Sequence, residues 1–475
     1  MVTFLKNILR SEDWSIMTYL LVIIYLLIYG IYVIIPPVRT PDSVSAFLWA
    51  VGVHGMVGIA LWSLLKNKHI TIPLLFILFF VPRLIVFPML PWLSDDVFGY
   101  LWYGHVTIQG MNPFIAPAES PIFEALRNGS YELMAYKQFP AIYPPLAEVF
   151  MAAGVGLGEL FSDTWYAALF GWKTILFLME ALMFLLITKV KISQTQTYKQ
   201  GIMLFVVCPL PVIEIMGQAH NDGLLLPFLI ALYGLASRTL TLPSLHRAFG
   251  IGLIIGAMAA IKIYPIVLII PFLFHHSLSW KHKFSLCLSA ACILLAVSLP
   301  FFWNNDALLQ FADVLQFYNR TSFNSPPLLF IRQVLASMNV HEWWNSAPNV
   351  LTAVRAFSVI ILAVFWYFYS KHHQKKDITQ QCFSMSLAML LCFLMLSPKV
   401  HTWYFVPVLG LNIITRFQSI GLIITAQMAS YSLYLWQPPT EQFAIEWAAW
   451  ACLFFAIAIE YRQIRQQNVV KIHQC

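Results

Sequence analysis

The stretch WSIMTYLLVIIYLLIYGIYVII, residues 14–35, runs without a single charged side chain. A membrane-spanning helix needs about 20 apolar residues, so this stretch is long enough to cross a bilayer. It is too long for the apolar core of a secretory signal peptide, and no small-residue cleavage site follows it. We therefore expect it to remain in the protein as a membrane anchor.

Comparable apolar segments recur along the whole chain. Hydrophobic residues make up 60% of the sequence and charged residues 10%, and the mean hydropathy of +0.73 excludes a soluble globular protein. We predict an all-α, polytopic transmembrane protein with about 12–14 spans, in a single integral membrane domain over residues 1–475. The segments lie at 14–36, 45–65, 70–92, 143–161, 165–189, 200–217, 221–238, 248–275, 283–303, 350–370, 381–398, 402–415, 417–436 and 443–460.

Two longer hydrophilic stretches, residues 93–142 and 304–349, interrupt the apolar pattern. Loops rich in Lys and Arg stay on the cytoplasmic side of a membrane. With the N-terminus inside and three spans before it, the first stretch is external. The second is external as well, because basic loops flank it on both sides. The basic residues that set this orientation are Lys6, Arg10, Lys66, Lys68, Lys281, Lys283, Lys371, Lys375, Lys376, Arg462 and Arg465.

The orientation of residues 200–280 has two solutions. If segments 143–161 and 248–275 each cross once, the chain has about 14 spans and several basic residues fall outside. If the first does not cross and the second turns back near Pro265, the number is about 12, and a proline permits such a break. Length favours the first solution and charge favours the second.

The composition also limits the partners and cofactors. The net charge of +7 comes mostly from the short basic loops, so we expect membrane lipids and no nucleic acid as partners. The cysteines show neither metal-ligand nor disulfide spacing. We expect no cofactor and no protein-held metal. No Walker-type motif is present, and no nucleotide-sugar Asp-x-Asp motif lies within a soluble α/β domain. An activated donor must therefore come from within the membrane or be flipped across it.

Asp95 and Asp96 adjoin the third apolar segment and open an aromatic run that includes Tyr100 and Trp102. Ser94 or Asp95 suits the N-cap of a helix, and a cap uses only one residue. A carboxylate at a helix N-terminus is held ionised by the helix dipole, as a proton acceptor must be. Aromatic residues are enriched at any membrane interface, and sugar rings also stack on aromatic faces. The pattern fits a saccharide site with a carboxylate base.

Further polar residues interrupt apolar segments at places where a charge is costly unless it lines a cavity. Tyr143 precedes two prolines that start a helix at the external face, and its hydroxyl could bind a sugar or a phosphate. Lys262 lies deep in an apolar stretch, which predicts a phosphate or carboxylate partner. The other candidates for substrate contact are His220, Asn221, Asp222, Lys399 and His401, with Arg320 and Arg332 as weaker ones.

The ordered series of these motifs resembles the GT-C superfamily of membrane glycosyltransferases. It is most similar to the bacterial mannosyltransferase-like branch that uses polyprenyl-phosphate-linked sugars. Between about residues 90 and 405 the matching motifs are Ser94-Asp95-Asp96, Tyr100-Leu101-Trp102, Gly110-Met111-Asn112-Pro113-Phe114, Tyr143-Pro144-Pro145-Leu146, His220-Asn221-Asp222, Lys262-Ile263-Tyr264-Pro265, Ser397-Pro398, His401 and Trp403-Tyr404.

The resemblance implies transfer of a sugar, with mannose as the expected one, from a polyprenyl-phosphate-linked donor to a lipid or glycan acceptor. It places the site at the external, periplasmic face of a bacterial inner (cytoplasmic) membrane. One aspartate of the Asp95–Asp96 pair would act as general base in an inverting reaction. Lys262, Lys399 or His401 would stabilise the leaving phosphate.

Two other functions remain open at this point. A ligase or polymerase of lipid-linked glycans would share the external site but would transfer an oligosaccharide. A secondary transporter would also place His, Asp and Lys within the membrane as proton relays. Transporters often carry repeated halves with broken helices in matching positions, and this chain shows no such repeat.

Overall fold

The computed structural model describes residues 15–66, 68, 70–190, 196–241, 244–320, 323–325, 327–328, 330, 334, 348–372, 378–434 and 446–462. Several residues used in the sequence argument lie outside this set. They are Lys6, Arg10, Arg332, Lys375, Lys376 and Arg465, together with the side chain of Arg320.

The described chain is built from α-helices joined by short 3₁₀ and π-helical turns. The α-helices are α1 Ile16–Ile34, α2 Pro41–Leu65, α3 Ile72–Val86, α4 Asp96–Ile108, α5 Gly129–Leu133, α6 Pro145–Glu159, α7 Trp165–Lys189, α8 Gln196–Val207, α9 Leu225–Thr241, α10 Leu245–Ile261, α11 Ile270–Leu273, α12 Trp280–Phe302, α13 Asn305–Arg320, α14 Pro348–His372, α15 Ile378–Met395, α16 Val406–Thr415, α17 Gln418–Ile423 and α18 446–462. The 3₁₀ turns are Pro121–Leu126, Asn221–Leu224, Tyr264–Ile269, Thr402–Phe405 and Ile424–Tyr434, and the π-helical turn is Val212–Gly217.

No strand occurs among the described residues, and the one isolated β-bridge joins Phe323 to Lys399. Helix starts follow local sequence signals. The side chains of Thr40, Thr71 and Thr164 each accept a hydrogen bond from a backbone N–H of the first turn. The predicted all-α architecture is confirmed.

Four helices, α1, α2, α7 and α12, are long and apolar enough to cross a membrane, and seven shorter helices are also apolar. Helix α12 buries only Leu286, Ser289 and Ala290, while large apolar side chains such as Leu295 and Leu299 are exposed. An apolar surface of that extent suits lipid rather than water. The chain is a polytopic helical membrane protein, as predicted; the number of spans stays a prediction.

The chain divides into two compact units. The first comprises segments within 1–93, 191–218 and 412–475, and the second comprises 94–190 and 219–411. The prediction of one membrane domain over residues 1–475 stays a prediction. All the predicted site residues fall within the second unit.

In the second unit, glycines let three helices approach one another closely. A Cβ on Gly104 of α4 would lie 2.8 Å from the Met151 carbonyl oxygen of α6. A Cβ on Gly171 of α7 would likewise collide with the backbone of Gly154 and Gly158 of α6. Small residues are the usual means of close helix packing in membranes. The contacts hold the start of α4, with its aspartates, beside the start of α6, with Tyr143.

The apolar segment predicted at 248–275 is broken at Lys262. Helix α10 ends at Ile261, Lys262 is extended with φ −143° and ψ 139°, and a 3₁₀ turn with Pro265 near its start follows. The break lies near Pro265, where the solution with about 12 spans expects an interruption, and it lets Lys262 approach partners that a continuous helix would keep apart.

Candidate active site

Asp96 is the first residue of α4, and Asp95 occupies the N-cap position without making a side-chain capping hydrogen bond. The Ser94 hydroxyl accepts a hydrogen bond from the Asp96 backbone N–H at 3.2 Å. Ser94 therefore supplies the polar contact at the start of the helix, and neither carboxylate is used for capping. The helix dipole favours the ionised form of a carboxylate at this position.

Two tyrosines hold one oxygen of Asp96. The hydroxyl groups of Tyr143 and Tyr100 donate to Asp96 Oδ2 at 3.3 Å and 3.5 Å. The two hydroxyls lie 3.2 Å apart, and the Tyr100 hydroxyl lies 3.3 Å from Nδ1 of His220. Asp96 Oδ1 makes no hydrogen bond within the part of the chain that the structure describes. One oxygen is thus anchored while the other remains available.

A second carboxylate, Asp222, is held at both oxygens. Lys262 Nζ lies 2.5 Å from Asp222 Oδ2, and the Tyr264 hydroxyl donates to Asp222 Oδ1 at 3.0 Å. Asp222 is fully buried and Lys262 is 4% exposed. The Lys262 ammonium group also lies over the rings of Tyr143 and Tyr404, 5.4 Å and 4.8 Å from their centroids. Asp222 is the carboxylate partner that the position of Lys262 predicts.

Aromatic rings form a column beside these groups. Trp403 stacks between His220, at 3.6 Å, and His401, at 4.3 Å, and Phe323 stacks on the outer face of His401 at 4.7 Å. His401 Nδ1, Trp403 Nε1 and both side-chain polar atoms of Asn221 are buried without a hydrogen-bond partner in the described chain. Buried polar atoms are normally satisfied, so this column offers hydrogen bonds to a polar ligand.

Lys399 lies two residues before His401, at the isolated β-bridge to Phe323. The Phe323 N–H donates to the Pro398 carbonyl at 2.8 Å, and the Val400 N–H donates to the Phe323 carbonyl at 2.9 Å. This bridge fixes the backbone on both sides of Lys399, whose ammonium group lies 5.7 Å from the Phe317 ring centroid. The bridge also ties part of the second hydrophilic stretch to the segment that carries His401.

The titration of three groups follows from their surroundings. Removal from water raises the pKa of Asp96, and the nearby charge of Lys262 and the Tyr143 hydrogen bond oppose this shift. Burial lowers the pKa of Lys399, while the negative charge of Asp96 acts in the opposite direction. Burial, with Lys399 and Lys262 nearby, lowers the pKa of His401 to about 3. His401 is therefore neutral at physiological pH and acts as a hydrogen-bonding group rather than a cation.

A cleft that is partly open to solvent lies against the carboxylates. Five of its eleven lining residues are aromatic, and among the described residues Asp95 and Asp96 are the charged ones that line it. The Tyr103 hydroxyl donates to the Phe139 carbonyl at 2.9 Å, which fixes the loop that closes one side. The lining residues are Asp95, Asp96, Gly99, Tyr100, Tyr103, Met134, Ala135, Tyr136, Phe139, Ile142 and Tyr143.

Asp96, hydrogen-bonded at one oxygen, lies beside a cleft lined by several aromatic residues, with lysines nearby. These are features expected of a sugar-transfer site. The MptA_B family model, described as alpha-(1→6)-mannopyranosyltransferase, N-terminal domain, matches residues 33–278, slightly more than half of the chain. The chain belongs to this family. No curated protein and no solved structure shows a significant similarity to it.

Membership of the mannopyranosyltransferase family confirms the predicted resemblance. The chain is a membrane glycosyltransferase of the mannosyl-transferring type, so the alternative of a secondary transporter is set aside. The matched region contains the predicted residues from Asp95 to Lys262, while Lys399 and His401 lie beyond its end.

The fold brings ten of the eleven predicted site residues of this mannosyltransferase into one neighbourhood of the second unit. Trp102 is the exception, because it is fully buried and packs on Tyr131 at 5.0 Å and on His105 at 6.3 Å. It faces the interior on the other side of α4 from the cleft.

Several residues of the site were not among the predicted contacts. Tyr264, Trp403 and Tyr404 lie within motifs that the sequence analysis singled out, so their aromatic character next to a polar residue was the available signal. Tyr136 and Phe139 reach the cleft from a loop without any recognisable pattern, and only the tertiary structure reveals them.

Proposed function

We propose that the protein transfers a mannosyl residue from a polyprenyl-phosphate-linked donor to a glycan or lipid acceptor, with inversion and with Asp96 as the general base. The observation that carries the proposal is the state of Asp96. Two tyrosine hydroxyls orient one oxygen, the other is unbonded among the described residues, and the side chain lines a cleft. Asp95 lines the same cleft and is assigned a hydrogen-bonding role toward the acceptor.

In the proposed reaction an acceptor hydroxyl attacks the anomeric carbon of the donor. A new carbon–oxygen bond forms, the bond from that carbon to the phosphate oxygen breaks, and the hydroxyl proton passes to Asp96. An oxocarbenium-like transition state makes the attacking hydroxyl acidic, so a carboxylate is a sufficient base. Removal from water raises the pKa of Asp96, which strengthens it as a base.

Lys399 is the cation that we assign to the departing polyprenyl phosphate. Lys262 is already paired with Asp222, so the two charges largely cancel. His401 is neutral, because its pKa is lowered to about 3. Lys399 is only half-buried, and its charge interacts with that of Asp96, which supports a contact with the departing phosphate. A fixed positive charge at the developing phosphate anion stabilises the transition state.

The proposed location is the external face of a bacterial inner membrane. Four apolar helices and the family support a membrane enzyme, and the placement of Lys and Arg residues supports external hydrophilic stretches. The absence of a nucleotide-binding motif in the sequence supports a lipid-linked donor.

The proposal is tested with purified protein in lipid nanodiscs, supplied with an α-1,6-linked mannobiose acceptor and one of two donors. We expect transfer from β-linked polyprenyl-phosphate-mannose and none from GDP-mannose. Because inversion of a β-linked donor gives an α-linked product, the new linkage is identified by NMR. Transfer from GDP-mannose, or a β-linked product, contradicts the proposed donor or the proposed stereochemistry.

A further inference from the structure

Tyr136 combines a strained backbone with an exposed aromatic ring. Its φ of 61° lies in the left-handed region, where a bulky side chain is an outlier. The side chain is nevertheless 55% exposed, so burial of the ring does not compensate for the strain. Strain of this kind persists where the surroundings impose it, and it clusters at functional sites.

The surroundings of Tyr136 do impose its conformation. The Phe139 N–H donates to the Tyr136 carbonyl at 3.1 Å. On the far side of the turn, the Glu119 N–H donates to the Lys137 carbonyl at 3.0 Å, and the Ala118 N–H donates to the Phe139 carbonyl at 3.1 Å. The turn is therefore pinned to a neighbouring loop, and the Tyr136 ring is held at the cleft beside the carboxylates.

The charges around the cleft indicate which substrate enters it. Asp95 and Asp96 are the charged residues that the described part of the chain contributes to its wall, and two carboxylates repel the phosphate of a donor. Lys262 and Lys399, the cations assigned to the other side of the site, do not line it. The cleft therefore fits an uncharged sugar ring with a hydroxyl group directed at the aspartates.

We infer that Tyr136 stacks on the sugar ring of the acceptor and sets the affinity for it. This inference rests on the proposed function, since Asp96 must face the acceptor hydroxyl. The apolar face of a pyranose lies flat on an aromatic ring, and Tyr136 reaches the cleft from the loop opposite the start of α4. The strained turn holds the ring ready for stacking, so no ordering of the loop is needed on binding.

The test compares Tyr136→Phe, Tyr136→Ala and Tyr136→Gly by steady-state kinetics with α-1,6-linked mannobiose. We expect Phe to behave like the wild type and both truncations to raise the acceptor KM by about tenfold, with the donor KM unchanged. Glycine adopts the left-handed region without strain, so the Gly variant should unfold at or above the wild-type temperature. A loss of affinity without a loss of stability assigns the effect to the ring.

Tyr166→Ala is the matched control. Tyr166 is 45% exposed, lies on α7 and stacks on Trp165 with ring centroids 3.6 Å apart, and it does not line the cleft. We expect its substitution to leave both KM values unchanged. An equal rise of the acceptor KM in this variant would overturn the specific role of Tyr136.

Binding is also measured without turnover, by saturation-transfer NMR of mannobiose with Asp96→Asn protein that carries each Tyr136 variant. If mannobiose binding depends on Tyr136, but the otherwise wild-type protein transfers no mannose, the inference is supported and the proposed function is contradicted. If mannose is transferred but the acceptor KM is unchanged in both Tyr136→Ala and Tyr136→Gly, the proposed function is supported and the inference is contradicted. No mannobiose binding to any variant overturns the inference.

Discussion

Asp96 and Asp222 are two aspartates of one structural unit, and they are held in different ways. Asp222 has a partner at each oxygen, with Lys262 on Oδ2 and Tyr264 on Oδ1. Asp96 receives both of its tyrosine hydroxyls, from Tyr143 and Tyr100, at the single oxygen Oδ2. Asp222 is fully buried, whereas Asp96 lines the cleft.

Under the proposed function, this difference separates a structural carboxylate, Asp222, from a reactive one, Asp96. A fully buried carboxylate that is paired with a lysine and bonded at both oxygens is poorly placed to accept a proton from a substrate. A carboxylate that is oriented through one oxygen keeps the second for chemistry. The same residue type, placed in two polar motifs of similar appearance, therefore serves two purposes.

The largest expected effect is on turnover in Asp96→Asn. The amide keeps the shape of the side chain but cannot take a proton, so kcat should fall by about a hundredfold to ten-thousandfold. The unfolding temperature should stay close to that of the wild type, because Asp96 forms no close ion pair. Mannose transfer and thermal unfolding are measured on the same preparation. Asp95→Asn is the matched control, and a larger loss of kcat in that variant would reverse the two roles.

Asp222→Asn should lower the stability of the protein more than its activity, the opposite of Asp96→Asn. It leaves the Lys262 ammonium group buried without its partner, which destabilises by about 3–5 kcal/mol. Unfolding is followed by thermal melting in nanodiscs. The double variant Asp222→Asn/Lys262→Met removes the orphaned charge and should recover most of the lost stability. If the double variant is no more stable than the single one, Asp222 has a role other than pairing Lys262.

Lys399→Gln tests the assignment of the phosphate contact. Removal of the Lys399 charge should lower kcat/KM for the donor by about tenfold to a hundredfold. The acceptor KM should be unchanged, because the cleft does not include Lys399. His401→Gln is the matched control, since a neutral imidazole contributes no charge. A greater donor effect in the His401 variant would move the phosphate contact to the aromatic column.

The smallest expected effect is a shift of the pH profile in Tyr143→Phe. The pKa of Asp96 is raised by removal from water, so activity should be lost as pH falls through a value above that of an ordinary aspartate. The Tyr143 hydroxyl stabilises the ionised form, and its removal raises this pKa further. The acid limb of kcat/KM should therefore move to higher pH. A limb that moves to lower pH contradicts Asp96 as the titrating base.

Some features of the fold and of the candidate site could be predicted from the sequence alone, and the contrast between the two aspartates could not. Segment length and hydropathy predicted the membrane helices, and Pro265 permitted the break that places Lys262 beside a carboxylate. The ordered motifs predicted the family, and ten of the eleven residues named from the sequence lie in one neighbourhood of the second unit. These features depend on local composition, which a sequence displays directly.

Other features depend on which side chains meet in space. Nothing in the spacing of Asp96 and Asp222 indicates that one is held at one oxygen and the other at two. Tyr143 lies 47 residues from Asp96, and Lys262 lies 40 residues from Asp222. Trp102 was predicted to contact substrate because it shares the aromatic run with Tyr100, but the helical turn directs it into the core. Tyr136 carries no sequence signal, because its left-handed backbone is imposed by the neighbouring loop.

The most direct test of the central claim is chemical rescue by formate. Asp96→Ala removes the carboxylate and leaves space beside the cleft, where a small carboxylate from solution can accept the proton. We predict that formate restores mannose transfer to Asp96→Ala in a concentration-dependent manner and has no effect on Asp222→Ala. Rescue of Asp95→Ala with no rescue of Asp96→Ala would contradict the assignment of Asp96 as the general base.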